Sequence, residues 1–239
     1  EPHQKFVRNF LSFQSPYNSL LIFHGLGTGK TCSSISVCEE MRNYNKQLGN
    51  NKKILIVASP TVQENYRLQL FDSRKLKNVN GIWNLKSCTG NKLINEINPM
   101  QMKGLSREKI IQQINKIINQ SYSFLGYTGF ANYINNVIKK NQPKNDDNVK
   151  KRRNKIRAIR REFSNRLIVI DEVHNIRTVE GLKGTSEKFL ELVTYSQNIK
   201  LLLLTATPMF NDYREIIWLT NLMNLNDDRV PLNISDVFD

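Results

Sequence analysis

Two short stretches of this 239-residue chain hold residue types suited to handling a phosphate. The first is His24-Gly25-Leu26-Gly27-Thr28-Gly29-Lys30-Thr31, which follows an apolar run at 20–23. Glycines at Gly25, Gly27 and Gly29 let a backbone curl until successive amides point inward at an anion, with Thr28 inside the same turn. Lys30 then brings a point charge to the β and γ phosphates of a nucleotide, Thr31 a hydroxyl for magnesium, and the helix that follows its positive dipole end. The full phosphate-loop pattern has Gly where His24 stands, so the match is to its shorter GxGKT core.

The second stretch is Asp171-Glu172-Val173-His174, behind the buried-type run at 167–170. Two adjacent carboxylates at the end of an apolar strand lie where open α/β sheets bind ligands. In that place Asp171 holds magnesium, directly or through water with Thr31, and Glu172 orients and deprotonates an attacking water. The bland alternatives are a structural Gly-rich turn and a strand that ends in acidic loop residues.

Apolar, β-branched runs recur at 20–23, 54–58, 123–127, 167–170 and 201–204, each short enough for a strand. Between them, 32–44, 62–71, 107–119, 130–140, 186–196 and 213–223 have the apolar spacing of helices. Runs buried on both faces, alternating with helices, predict a doubly wound, mostly parallel α/β sheet with right-handed crossovers.

Mean composition is that of a globular domain, with 39% hydrophobic and 23% charged residues and no apolar run long enough to cross a bilayer. Membrane association is therefore not expected. The three cysteines, Cys32, Cys38 and Cys88, are odd in number and lack CxxC spacing, which speaks against a disulfide framework and against a zinc site, and favours a reducing compartment. The chain opens on Glu1 rather than Met and is read as a piece of a longer protein. A formal charge of +14 supports a polyanionic partner. That charge is concentrated at 139–161, where eleven Lys or Arg face two Asp. The first half of this Asn-rich stretch reads as a mobile excursion and 149–163 as a basic helix, either a solvated insertion or a contact for nucleic acid or a partner.

Taken with their order along the chain, these stretches resemble the motifs of superfamily 2 helicases. Asp171-Glu172-Val173-His174 looks like the DExH box, and Thr205-Ala206-Thr207-Pro208 like the third motif. Ala58-Ser59-Pro60-Thr61 resembles motif Ia and Tyr127-Thr128-Gly129 motif Ib. The local phrases around all three main motifs are similar to helicase-like ATPases of large cytoplasmic DNA viruses, among them the poxvirus transcription ATPases.

The resemblance implies an N-terminal RecA-like domain over 1–225, interrupted by an insertion at about 139–163, with 226–239 starting a linker to a second RecA-like domain. It implies ATP and Mg2+ as ligands, with Thr205 and Thr207 answering the γ-phosphate site and His174 coupling that site to the partner domain. His174 as an ordinary hydrogen-bonded loop residue is the alternative. His3-Gln4 followed by Phe6 and Phe10 resembles the upstream glutamine motif, which assigns Gln4 to the adenine edge; a capping or surface role remains open. Pro60, Thr61, Thr128 and Gly129 would touch a DNA or RNA backbone.

The implied activity is nucleic-acid-dependent ATP hydrolysis in viral transcription, in the host cytoplasm or virion, beside viral RNA polymerase or transcription-factor subunits. The alternatives are a strand-separating DNA or RNA helicase and a noncatalytic scaffold with a vestigial fold. A P-loop kinase or GTPase is disfavoured, because the DExH box and the TAT element do not belong to those classes. With one domain alone, nucleotide binding is expected to be weak and turnover poor.

Overall fold

The computed structural model describes residues 2–23, 29–142, 147–178, 184–209 and 212–238, with the side chain of His3 also outside the description. Five parallel strands form the central sheet: β1 (Ser19–Phe23), β2 (Ile54–Val57), β5 (Tyr122–Leu125), β6 (Leu167–Ile170) and β7 (Lys200–Thr205). Their order is β1-β7-β6-β2-β5. The expected doubly wound α/β architecture is the one observed.

The strands are mostly apolar, wholly so in β2 and β6, because both faces of the sheet are covered, with polar residues in β1, β5 and β7 only at Ser19, Ser123, Lys200 and Thr205. Successive side chains point to opposite sides, so each strand feeds two cores. Ile54, Ile56, Leu167, Val169, Leu202 and Leu204 enter the first core. That core is covered by α1 (Pro2–Phe10), α2 (Lys30–Gln47), α3 (Pro60–Leu70), α4 (Lys92–Ile97) and α5 (Arg107–Ser121). Leu55, Val57, Ile168, Ile170, Leu201 and Leu203 enter the second. Over it lie α6 (Tyr127–Lys140), α7 (Asn148–Phe163), α8 (Asn175–Thr178), α9 (Thr185–Tyr195) and α10 (Glu215–Asn226).

The helix after the phosphate loop starts on Gly29, whose φ of +82° is a left-handed value that favours glycine. Its far end is fixed by buried charges. Arg42 donates to both oxygens of Glu39 at 2.9 and 2.8 Å and pairs with Glu96 at 2.8 Å, and the Tyr122 hydroxyl donates to Glu39 at 2.6 Å. The two carboxylates hold the Arg42 guanidinium's pKa well above its usual range against the opposing effect of burial. This cluster ties α2 to α4 and β5.

Three features depart from the sequence reading. Tyr127 opens α6 instead of closing β5, since the chain turns at Gly126. Between α3 and α4 the chain forms an antiparallel hairpin, β3 (Leu76–Val79) and β4 (Ile82–Leu85), around Asn80 and Gly81 at φ +54° and +84°. Both central residues have the positive φ of a type I′ turn, for which Asn-Gly is the preferred pair.

The third departure corrects the expectation of unpaired thiols: Cys32 and Cys88 form a disulfide, with Cα atoms 5.2 Å apart, while Cys38 is buried and free. An odd count leaves room for one pair, and local spacing says nothing of two cysteines 56 positions apart that tertiary packing brings together. Burial raises the Cys38 thiol's pKa, so it stays protonated and packs as an apolar side chain. No described helix is long and apolar enough to cross a membrane.

Closing a loop of this length restricts the unfolded chain, and reduction is expected to lower the unfolding free energy by about 2–4 kcal/mol. A urea titration with and without reductant reads this as a shift in midpoint, which Cys88→Ser should reproduce. Coincident midpoints would show that the bridge contributes no stability.

Candidate nucleotide site

Parallel pairing puts the C-terminal ends of all five strands on one edge, in the order Phe23, Thr205, Ile170, Val57, Leu125. The phosphate loop leaves β1, the Asp171-Glu172 pair leaves β6, and β7 lies between them and brings Thr205 to the same edge. Gly25, Gly27 and Thr28 lie outside the described residues, as does His24. Gly29, Lys30 and Thr31 are described and stand at the start of α2.

Lys30 is 9% exposed, and its ammonium has no hydrogen-bond partner among the described residues. Its nearest carboxylate oxygen is Glu172 Oε1 at 3.6 Å. A buried ammonium left without acceptors is costly unless a ligand supplies them. The Thr31 hydroxyl accepts a long hydrogen bond from the Asn65 amide at 3.4 Å. Gln4 comes from α1 to the same place: its Nε2 would lie 3.8 Å from a Cβ built on Gly29.

Asp171 is 4% exposed, and its carboxyl is pushed above the usual range, first by burial and then by the negative charge of Glu172. The Glu172 amide, which donates to Oδ1 at 2.9 Å, the Tyr66 hydroxyl and the charge of Lys30 pull the other way. Tyr66, buried in α3, also lies 2.7 Å from the Ser34 hydroxyl, whose single proton is shared between Tyr66 Oη and the Thr31 carbonyl at 2.8 Å. One buried tyrosine thus links the carboxylate to the first turn of α2.

Glu172 has φ +48°, a left-handed conformation that costs a non-glycine residue about 1–3 kcal/mol. The surrounding bonds enforce it. Asp171 N donates to Val57 O at 3.0 Å and Val173 N to Leu204 O at 3.1 Å. The Tyr127 hydroxyl donates to the carbonyls of Asp171 and Glu172 at 2.8 and 3.3 Å. Burial pushes the Tyr127 phenol up to about 12, so it stays a donor at neutral pH.

The ring of His174 closes the edge. Its Nδ1 is 2.8 Å from Thr205 Oγ1, 3.4 Å from Thr207 Oγ1 and 3.5 Å from Glu172 Oε2. The Thr207 amide donates back to Thr205 Oγ1 at 3.0 Å. Pro60 and Thr61 at the start of α3, and Thr128 and Gly129 at the start of α6, are exposed at the ends of the paired strands β2 and β5. They share the edge but stand beside the Lys30-Asp171 cluster, not in it.

Tyr66 and Asn65 were not singled out from the sequence. A tyrosine at a buried helix position reads as core, and only the tertiary arrangement shows its hydroxyl reaching Asp171. Tyr127 was named as part of a motif, yet its contact is to the backbone of the acidic turn.

An ammonium buried without a hydrogen-bond partner among the described residues, a hydroxyl and two carboxylates thus share the edge at which open α/β sheets bind their ligands. The chain belongs to the SNF2-related domain family, which matches residues 3–227 and is of the superfamily 2, helicase-like class. It is similar to a protein of Invertebrate iridescent virus 3 that carries the name helicase 087L, with 29% identity over 98% of this chain and 21% of that one. It is also similar to a protein of Acanthamoeba polyphaga mimivirus named as the ATP-dependent RNA helicase R563, with 27% identity over 93% of this chain and 32% of that one. Among solved structures it matches the Sulfolobus solfataricus SWI2/SNF2 ATPase core in complex with dsDNA, at a TM-score of 0.44 and 16% identity over 94% of this chain and 34% of that one. The chain spans about a fifth to a third of the length of these viral relatives.

The sign of the Asp171 shift gives a stability test. A carboxyl raised above its unfolded value stabilises the fold relatively at low pH, and that contribution is lost as pH rises through the folded value. In magnesium-free buffer, Asp171→Asn should therefore raise Tm at about pH 8, with the gain shrinking toward about pH 4. A Tm difference independent of pH would show that Asp171 ionises in the empty site at no cost.

Proposed function

We propose that this domain binds ATP with magnesium and hydrolyses it as the first half of a nucleic-acid-dependent motor of the helicase type, acting in viral transcription. The observation that carries the reading is the Lys30 ammonium, buried beside Glu172 and Asp171 without a hydrogen-bond partner among the described residues. An anion with several acceptor oxygens would satisfy that ammonium, and a divalent cation would relieve the like-charge pair Asp171-Glu172. Magnesium, when bound, neutralises phosphate charge and fixes the phosphate geometry.

In this reading Lys30 holds the β and γ phosphates, with Gly25, Gly27, Thr28 and Gly29 giving backbone amides. Thr31 and Asp171 hold the metal, and Tyr66 keeps Asp171 aimed at it. Glu172 takes the proton of the attacking water, its backbone pinned by Tyr127. Gln4 reads the adenine edge. His174, Thr205 and Thr207 carry the state of the γ-phosphate side toward a second RecA-like domain, which completes the cleft. Pro60, Thr61, Thr128 and Gly129 contact the nucleic-acid backbone. The resemblance of the motif phrases to the poxvirus transcription ATPases is what supports a role in transcription beside polymerase or transcription-factor subunits, in virion or host cytoplasm.

A strand-separating helicase is the second reading, favoured by the RNA helicase name of the mimivirus relative. ATPase assays on the full-length protein with single-stranded DNA, duplex DNA and RNA separate the two: stimulation by duplex supports translocation, and stimulation by RNA with displacement of a paired strand supports unwinding. Lys30→Ala should abolish magnesium-dependent nucleotide binding. Glu172→Gln should keep binding and lower kcat by about 100-fold or more, the range for losing a general base. Normal affinity in the first variant or normal turnover in the second would overturn these assignments.

A further inference from the structure

The most basic element of the chain takes no part in the nucleotide site. Helix α7 begins on Asp147, whose side chain accepts from Lys150 N at 2.7 Å. It carries eight Lys or Arg against the single acid Glu162. Its inner face is apolar: Ala158, Ile159 and Phe163 are buried, with Phe163 edge-on to Phe130 at 6.1 Å. Lys155 pairs with Glu191 of α9, and Glu162 with Arg166 at 3.0 Å. The helix is thus seated on the second core, with Glu191 and Glu162 engaged by Lys155 and Arg166.

At 100° per residue, Lys150, Arg153, Arg157, Arg160 and Arg161 share the opposite face, and all five are exposed. Arg160 donates to the Tyr195 carbonyl at 3.1 Å and Arg161 to the Asn141 amide oxygen at 2.7 Å, both neutral partners. No ion pair compensates any of the five among the described residues. The stripe is about 16 Å long at 1.5 Å per residue.

Its position is remote from the motif loops. Helix α6 starts at the ligand edge, where Tyr127 touches Asp171, and runs about 21 Å away from it. Asn141 and Gln142 at its end bond Arg161 and the Lys151 carbonyl. The C-terminus of α7 leads into the start of β6, and Lys52, just ahead of β2, donates to the carbonyls of Arg161 and Ser164 at 2.7 and 2.8 Å. The stripe therefore runs out at the N-terminal edge of the sheet, opposite the nucleotide.

We propose that the exposed face of α7 is a second binding surface for double-helical nucleic acid, recognised through its phosphates and without regard to sequence. Four of the five cations are arginines, whose forked donors match phosphate oxygens in pairs. A duplex offers one phosphate per about 1.7 Å of axis, enough to meet every cation of the stripe. Protein partners are usually held by an apolar or aromatic centre, and single strands by stacked aromatic rings. The stripe has neither: Val149 in the first turn is the exposed apolar residue of the helix, and its one aromatic residue, Phe163, is buried. The surface goes beyond the motor reading and would anchor duplex to the domain whether or not ATP is hydrolysed.

The test uses the full-length protein without nucleotide, a fluorescent mixed-sequence DNA duplex, an RNA duplex of the same length and a single strand, each titrated at several salt concentrations. The variant is Lys150→Gln with Arg153→Gln and Arg157→Gln. The control removes the same charge from elsewhere on the domain, with Lys75→Gln and Lys77→Gln at the start of the β3–β4 hairpin and Lys109→Gln in α5, all exposed. For the DNA duplex the α7 variant should flatten the log-log salt dependence by about 2.7, from three lost phosphate contacts, while the control leaves it unchanged. An equal effect on the RNA duplex would widen the ligand to any double helix, and an effect on DNA alone would narrow it; both support the proposal. Equal slopes for the α7 variant and the unsubstituted protein, equal flattening by the control, or an effect confined to the single strand would overturn it. So would unaltered duplex binding accompanied by loss of a protein partner from the full complex. Loss of ATP turnover in Lys30→Ala with this slope retained would refer to the motor and not to α7.

Discussion

The nucleotide edge depends on the seating of β7 between β1 and β6. Its pairing with β1 sets Thr205 opposite Phe23, and its pairing with β6 sets Leu203 opposite Ile170, so β7 runs past the end of β6. Those extra residues carry both functions of the strand. The Leu204 carbonyl receives the Val173 amide and so holds the acidic turn, and Thr205 meets His174. A parallel sheet fixes such offsets through evenly spaced ladder bonds, and a slip of one residue would send Thr205 into a core.

Held in this way, the edge tolerates a concentration of cost. Lys30 and Asp171 are buried ionisable groups, Asp171 and Glu172 repel each other, and Glu172 sits in the left-handed region. None of these stabilises the fold by itself. Tyr127 on one side of the sheet and Tyr66 on the other brace the turn through its carbonyls and its carboxylate. The far end of α2 is anchored separately by the Glu39-Arg42-Glu96 cluster, so the helix that presents Lys30 is fixed at both ends. Destabilising geometry is retained where the surrounding structure over-determines it, a common arrangement at sites that bind charge.

Much of the sheet was legible because parallel strands buried on both faces are written as unbroken apolar runs, and 167–170 and 201–204 could be little else. Lys30, the acidic pair and the hydroxyls of Thr205 and Thr207 stand close together on the edge that such runs imply, since each lies at or just beyond the end of one of them. The hairpin at Leu76–Val79 and Ile82–Leu85 was missed although Asn80-Gly81 announces it, since its strands are only four residues long and the first is only half apolar. Helix α1 drew notice for Gln4 alone, although Val7 and Leu11 enter the first core. The Cys32–Cys88 bond and the reach of Tyr66 to Asp171 join residues far apart in the chain, and no local pattern encodes such pairs. The phosphate-loop glycines read from the sequence fall partly outside the described residues, whereas Pro60, Thr61, Thr128 and Gly129 are brought to one edge, as their strand positions implied.

The alternation that divides the strands between two cores has an evolutionary consequence. Neighbouring positions such as Leu55 and Ile56, or Ile168 and Val169, report to different helical layers. A change at one of them is felt by one layer and leaves the other's packing in place. Apart from Tyr127, which braces the acidic turn from α6, the layer opposite α2 and α3 can drift, acquiring or shedding surface charge and partners, while the layer of α2 and α3 stays tuned to the site. The sheet acts as a partition between two selective regimes, through which a lineage can re-equip one face of the domain without re-solving the other.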